Sequence, residues 1–127
     1  MRLSQILKAK LHHARVTYAN PDYVGSIEVD RAVLDAAGIV DGELVHVWAV
    51  DHDARIITYV FGGVSGVVGL NGGAARFFQP GDRVIIAAFD LTDEPIEPKM
   101  LLLDEENRIV KHLEPFRTEL QEKLPVY

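Results

Sequence analysis

The sequence predicts a mainly β protein, one domain spanning residues 1–127 and closed into a barrel of two similar halves. Three observations predict it. Two runs, Leu44 to Val50 and Arg83 to Phe89, are apolar almost without interruption, which suits strands covered on both faces. Each follows a turn that joins glycine to an acid, Asp41-Gly42-Glu43 before the first and Gln79-Pro80-Gly81-Asp82 before the second, 39 residues apart. Each turn follows a small-residue helical segment, so the echo reads as two halves rather than as a solenoid, which needs about three repeats or more. At 127 residues, 48% hydrophobic and 25% charged, the chain suits one ordinary globular core.

Along the chain, Leu11, Val16, Thr17 and Tyr18 predict a first strand from about Ala9 to Tyr18. Strand alternation sets Lys10 and His12 on one face. Asn20-Pro21-Asp22 is a turn, because proline fixes φ and the two polar residues bond back to nearby backbone. Ile27 and Val29 alternate with Glu28 and Asp30 in a short strand. Asp30 then suits the N-cap of a helix of about two turns, with Val33, Leu34 and Ala37 as its apolar stripe and Gly38 as its stop. Leu44 to Val50 follows as a strand buried on both sides, with His46 a packed or edge histidine. Asp51-His52-Asp53 is the next turn. Three adjacent loop side chains do not converge on one ion without partners elsewhere, so no metal is expected there.

Arg55 to Phe61 is the next strand, and its period of two sets Arg55, Ile57 and Tyr59 on one face and Thr58 on the other. In the glycine-dense Gly62 to Gly69 no glycine is followed by the Lys, Ser or Thr that a phosphate loop requires. Asn71-Gly72 marks a tight turn into the small residues Gly73-Ala74-Ala75, which leave room for a ligand or another backbone. After the strand Arg83 to Phe89, a terminal hairpin pairs Lys99 to Asp104 with Arg108 to Leu113 across the acidic turn Asp104-Glu105-Glu106-Asn107. Glu114 to Tyr127 alternates charge and leucine, as a helix or a frayed end.

Composition narrows the functional class. There is no cysteine, which excludes disulfides and thiolate metal sites and agrees with a reducing cytosol. No apolar run approaches the roughly 18 residues of a membrane span, and the first 20 residues lack a signal-peptide core, so a cytoplasmic protein is expected. The net charge of −6 speaks against a nucleic-acid partner.

The stretch with chemistry of its own is Tyr23-Val24-Gly25-Ser26. In a sharply bent chain a serine hydroxyl attacks the preceding carbonyl, and glycine offers no Cβ to obstruct it. The amide becomes an ester. Loss of the serine α-proton then breaks the ester by elimination, leaving a Gly25 carboxylate and a dehydroalanine that hydrolyses to a pyruvoyl group. Its carbonyl forms a Schiff base with an amine. Around this stretch stand Lys10-Leu11-His12, Ser26-Ile27-Glu28-Val29-Asp30, Leu34-Asp35-Ala36-Ala37-Gly38-Ile39, Arg55-Ile56-Ile57-Thr58-Tyr59, Asn71-Gly72-Gly73-Ala74-Ala75 and Pro80-Gly81-Asp82. In order and spacing this set resembles aspartate 1-decarboxylase, from about Leu7 to Phe89 and weakly again at Asp104 to Ile109.

The resemblance implies a six-stranded double-psi β-barrel with small flanking helices, and self-cleavage between Gly25 and Ser26. It implies decarboxylation of L-aspartate to β-alanine for pantothenate synthesis, with the pyruvoyl group as covalent cofactor. It further implies Ser26 and Tyr59 as the catalytic pair, Tyr59 being the acid, and Thr58 as an aid to self-cleavage. Lys10, Arg55, Thr58, Gly72, Gly73 and Ala74 would touch substrate, with His12, Tyr23 and Asn71 in support. The same resemblance puts the site between neighbouring subunits of a homotetramer, and a maturation factor is a further candidate partner. Two departures stand out. The family's proline-bearing loop with Glu-Arg-Gly-Ser is replaced by a shorter uncharged segment, and Gly73 stands where alanine is usual. The alternatives are the same chemistry on another small amino acid such as glutamate, or an uncleaved barrel serving as an interaction module.

Overall fold

The computed structural model describes residues 1–114, so the expectation for the tail beyond Glu114 lies outside the described residues. The chain runs β1 (Ser4–Arg15), β2 (Tyr18–Asn20), β3 (Ser26–Asp30), α1 (Arg31–Ala37), β4 (Leu44–Ala49), β5 (Arg55–Gly63), β6 (Val68–Asn71), a 3-10 helix (Gly72–Phe77), β7 (Arg83–Thr92), β8 (Lys99–Leu103) and β9 (Ile109–Leu113). It is mainly β, as its alternating and apolar runs require.

The expected halves are visible in the pairing. The first is β3, α1 and β4, and the second is β6, the 3-10 helix and β7. β3 lies antiparallel to β6 with Ile27 opposite Leu70, and β4 antiparallel to β7 with Val47 opposite Ile86. Each half is flanked in the same way, β3 by a parallel β5 and β6 by a parallel β2. Closure into six strands is not what the hydrogen bonds describe. Among the described residues the strands form one nine-membered order, β2-β6-β3-β5-β4-β7-β1-β8-β9, with two open ends.

Three local expectations are corrected. The strand expected from Ala9 to Tyr18 is two strands, broken where Val16 N–H donates to the Asp82 carbonyl and Thr17 N–H to the Val68 carbonyl. The chain changes partner there, leaving β7 for β6, and Thr17 Oγ1 both donates to the Val68 carbonyl and accepts from its N–H. Second, β4 is not buried on both sides. Val45 and Val47 are fully buried while Leu44 is exposed, so its apolar run hides an ordinary alternation. The companion run keeps its promise better, since β7 sits inside the sheet order and buries Val84, Ile86, Ala87 and Ala88. Third, the tight turn expected at Asn71-Gly72 is a strand running directly into a helix. Asn71 ends β6 and Gly72, at φ 65°, opens the 3-10 helix.

Other features follow the sequence closely. The Asp30 carboxylate caps α1 by accepting from Ala32 N at 2.8 Å, worth about 1 kcal/mol, and Gly38 stops the helix at φ 74°. The β8–β9 hairpin forms, and Asn107 in its turn acts as a clasp: its amide accepts from Arg15 N and donates to the Arg15 and Gly66 carbonyls. One core joins the halves through Leu11, Ile27, Leu34, Val47, Leu70, Ile86 and Leu101, each fully buried. At about 1.5–3 kcal/mol per large apolar side chain, this burial is the main stabilising term.

Candidate active site

Gly25 and Ser26 stand where a loop becomes β3. Ser26 is only 2% exposed, and Asn71 across the β3–β6 pair is its direct neighbour in register. The Asn71 amide donates to Ser26 Oγ at 3.3 Å, and the hydroxyl itself donates to the Val24 carbonyl at 3.3 Å. Behind the bond lies Gly72. A Cβ on this residue would sit 2.5 Å from Gly25 Cα, 2.7 Å from its nitrogen and 3.0 Å from the Tyr23 carbonyl oxygen. Its positive φ and this backbone approach are both conditions that only glycine meets without strain. Gly72 therefore lets the end of β6 press directly against the Tyr23-Gly25 segment.

Tyr59 and Arg55 lie elsewhere on the same sheet. β3 and β5 run parallel with Ile27 opposite Val60, which brings Ser26 and Tyr59 to the same level on adjacent strands. They face the same side of the sheet, as Glu28 and Phe61 do two residues on, but at different depth, for Ser26 is buried whereas Tyr59 is 42% exposed in a row with Arg55 and Ile57. This is the parity expected of β5. The Arg55 guanidinium stacks 5.3 Å from the centre of the Trp48 ring, directly across the β4–β5 pair. Thr58 faces the other way, half-buried, and no side-chain hydrogen bond joins it to Ser26 among the described residues.

Lys10 and His12 are on β1, separated from β3 in the sheet order by β5, β4 and β7. They are neighbours of each other, since the Lys10 ammonium is one of the charges depressing the His12 imidazole. His12 is buried rather than solvated, and its pKa falls to about 4, first through burial and then through His13, Lys10 and Arg83. After His12 the alternation of β1 breaks at a bulge, with His13 at φ 63° stacked on the His12 ring at 4.0 Å. Tyr23 is largely exposed at the mouth of the Gly25 loop, Gly73 is exposed, and Ala74 packs against the core. Within one chain the expected set thus forms a buried Gly25-Ser26-Asn71-Gly72 cluster with Tyr59 on the adjacent strand and Arg55 further along it, and a separate Lys10-His12 pair.

The turn Asp51-His52-Asp53 is tied to β7 and the loop before it: Arg83 Nε donates to Asp51 Oδ2 at 3.0 Å, and His52 Nε2 meets Asp82 Oδ2 at 2.9 Å.

The sequence model of the family described as aspartate decarboxylase matches residues 1–110. The chain belongs to the aspartate decarboxylase family. Among its relatives are proteins named aspartate 1-decarboxylase from Bacillus cereus strain B4264, 49% identical, and from Bacillus thuringiensis strain Al Hakam, 47% identical. In both cases 114 residues align, covering 85% of this chain and 90% of the relative.

Against the family pattern, the glycine that replaces alanine at position 73 costs no packing, since nothing lies within 4 Å of where its Cβ would be. The short glycine-dense segment also finds a physical reason. A Cβ at Gly62 would overlap the Arg31 guanidinium, one at Gly63 the Glu28 carboxylate and one at Gly69 the Tyr18 ring. These glycines are floor for three large polar side chains. Tyr18 and Glu28 line a cleft of about 300 Å³ with Asn20, Tyr23, Phe61 and Asn71, next to the Gly25-Ser26 bond. Sequence reasoning passed over Tyr18, Glu28 and Trp48, because only the pairing of β2 with β6 and of β4 with β5 gives them neighbours. The glycines at 63 and 69 were the available signal.

Proposed function

We propose that this chain cleaves itself between Gly25 and Ser26 and, as residues 1–25 and 26–127 of one barrel domain, decarboxylates L-aspartate to β-alanine and CO2. Membership of the aspartate decarboxylase family and the names of the relatives support the reaction. The observation that carries the self-processing is the Ser26 hydroxyl, buried and held by Asn71, beside a Gly25 whose backbone rests on the Cβ-free face of Gly72. This cradle fits a group made from Ser26 itself. The pyruvoyl carbonyl supplies the electron sink for the charge left when CO2 departs.

The chain's own residues would do the rest. Ser26 Oγ forms the new C–O bond to the Gly25 carbonyl carbon as the Gly25-Ser26 C–N bond breaks. Arg55, braced by Trp48, offers a planar fork to a carboxylate of aspartate. Tyr59 Oη delivers a proton to the carbon that has lost CO2.

A homotetramer with sites between subunits suits the split geometry. Lys10 and His12 lie on β1, three strands away from Ser26, and Arg55 stands beside the exposed Leu44 and Ile57, so a neighbouring copy would complete the site. A six-stranded double-psi barrel would count β1 and β2 as one strand, add it to β3, β4, β5, β6 and β7, and treat β8 and β9 as additions, a reading supported by the parallel strand that flanks each half. No helix among the described residues is long and apolar enough to cross a membrane, and a cytoplasmic site of action for the pantothenate pathway fits the cysteine-free sequence.

The test is β-alanine release from L-aspartate, run beside L-glutamate. The native chain should release β-alanine and Ser26→Ala should not. Release by Ser26→Ala would remove Ser26 from the chemistry, and preference for glutamate would replace the substrate while keeping the reaction.

A further inference from the structure

The register across β2, β6 and β3 puts Tyr18, Gly69 and Glu28 side by side in one row, and Asn20, Asn71 and Ser26 in another row two residues further on. Two residues along a strand is the same face, so the Tyr18 and Glu28 side chains meet above Gly69 and beside Asn71. They meet closely: Tyr18 Oη donates to Glu28 Oε1 at 2.6 Å, and Asn71 Nδ2 lies 3.1 Å from Tyr18 Oη and 3.3 Å from Ser26 Oγ.

A phenol has one proton to give. Once Glu28 takes it, Tyr18 Oη can only accept, and the Asn71 atom facing it must be the NH2 nitrogen rather than the carbonyl oxygen. That nitrogen has two hydrogens. One goes to Tyr18, which turns the other toward Ser26 Oγ and leaves the serine's own hydrogen free to point at the Val24 carbonyl. Burial first, and then the Glu28 bond, raise the Tyr18 phenol above its usual value, so its proton stays in place through the neutral range.

We infer that Tyr18 and Glu28 are positioning residues for self-cleavage, a pair that fixes which face of the Asn71 amide meets Ser26 and so holds the serine oxygen for attack on Gly25. The inference rests on the self-processing reading of Ser26. It also gives the glycines at 63 and 69 a function, since a side chain at either place would displace one member of the pair.

The experiment follows the conversion of newly made full-length chain to the 26–127 fragment in a reconstituted translation system, sampled over time by mass. Tyr18→Phe keeps the ring and loses the relay, and should slow conversion about tenfold, the scale of one hydrogen bond. Glu28→Gln still offers an oxygen to the phenol and should convert within about twofold of the native chain, whereas Glu28→Leu should be as slow as Tyr18→Phe. Native-rate conversion by Tyr18→Phe overturns the inference, and so does Glu28→Gln as slow as Glu28→Leu, because a merely structural carboxylate would not be rescued by its amide. A native chain that never converts sinks the self-processing reading and this inference together.

Discussion

In the proposed reaction two neighbouring residues on β5 would separate making the pyruvoyl group from using it. Tyr59 would act only after CO2 has left, while Thr58 would assist the cleavage step. Tyr59→Phe keeps an exposed ring and should mature normally but release β-alanine more slowly by roughly 10² to 10⁴, the usual loss of a general acid. Thr58→Val keeps shape and should instead slow the appearance of the 26–127 fragment. Mass for maturation and product release for turnover score both variants, and the opposite pattern would exchange the two roles. The parity behind this pair was readable from a period of two, which placed Thr58 opposite Arg55 and Tyr59. What the period could not give was depth. That Ser26 is buried and Tyr59 half-open follows from which strands flank β3 and β5, a long-range property.

At the scale of elements, the 3-10 helix and β1 each carry a prediction. Gly72 and Gly73 are adjacent and chemically identical, but Gly72 has a positive φ and a crowded Cβ position while Gly73 has open space. Gly72→Ala should lower stability by roughly 1–3 kcal/mol and displace Gly25, whereas Gly73→Ala should raise stability by about 0.4–1 kcal/mol through the unfolded chain. Urea midpoints measure both, and equal effects would mean that the crowding at position 72 is relieved by movement. In β1 the buried His12 resists protonation until about pH 4, while an unfolded histidine takes up its proton near about 6.5. The unfolded state thus binds more protons inside that window. Stability should be fully present above about pH 6.5 and decline as pH falls toward 4, with His13 shifted in the same direction. His12→Gln should flatten that part of the curve, and a native midpoint unchanged across the window would contradict a neutral buried His12.

Across the whole molecule, the echo of a glycine-acid turn before an apolar strand was enough to foresee two halves. It could not count strands, because β8 and β9 extend the sheet beyond the echo and the bend at Val16-Thr17 divides one expected strand into two. The candidate site was legible as a set of residue types around Gly25-Ser26, and the distance of Lys10 and His12 from it was not, since the order of strands in the sheet is a long-range property. The Tyr18-Glu28 pair was hidden for a related reason: its members are ten residues apart and share a row only through β6. The central claim is that the backbone bond before Ser26 is the source of the cofactor, and intact mass tests it most directly. The purified native protein should contain two chains, residues 1–25 and a 26–127 remainder whose first group has no amine and resists Edman degradation, while Ser26→Ala stays whole. A single 14.1 kDa chain of 127 residues after prolonged incubation would contradict the account.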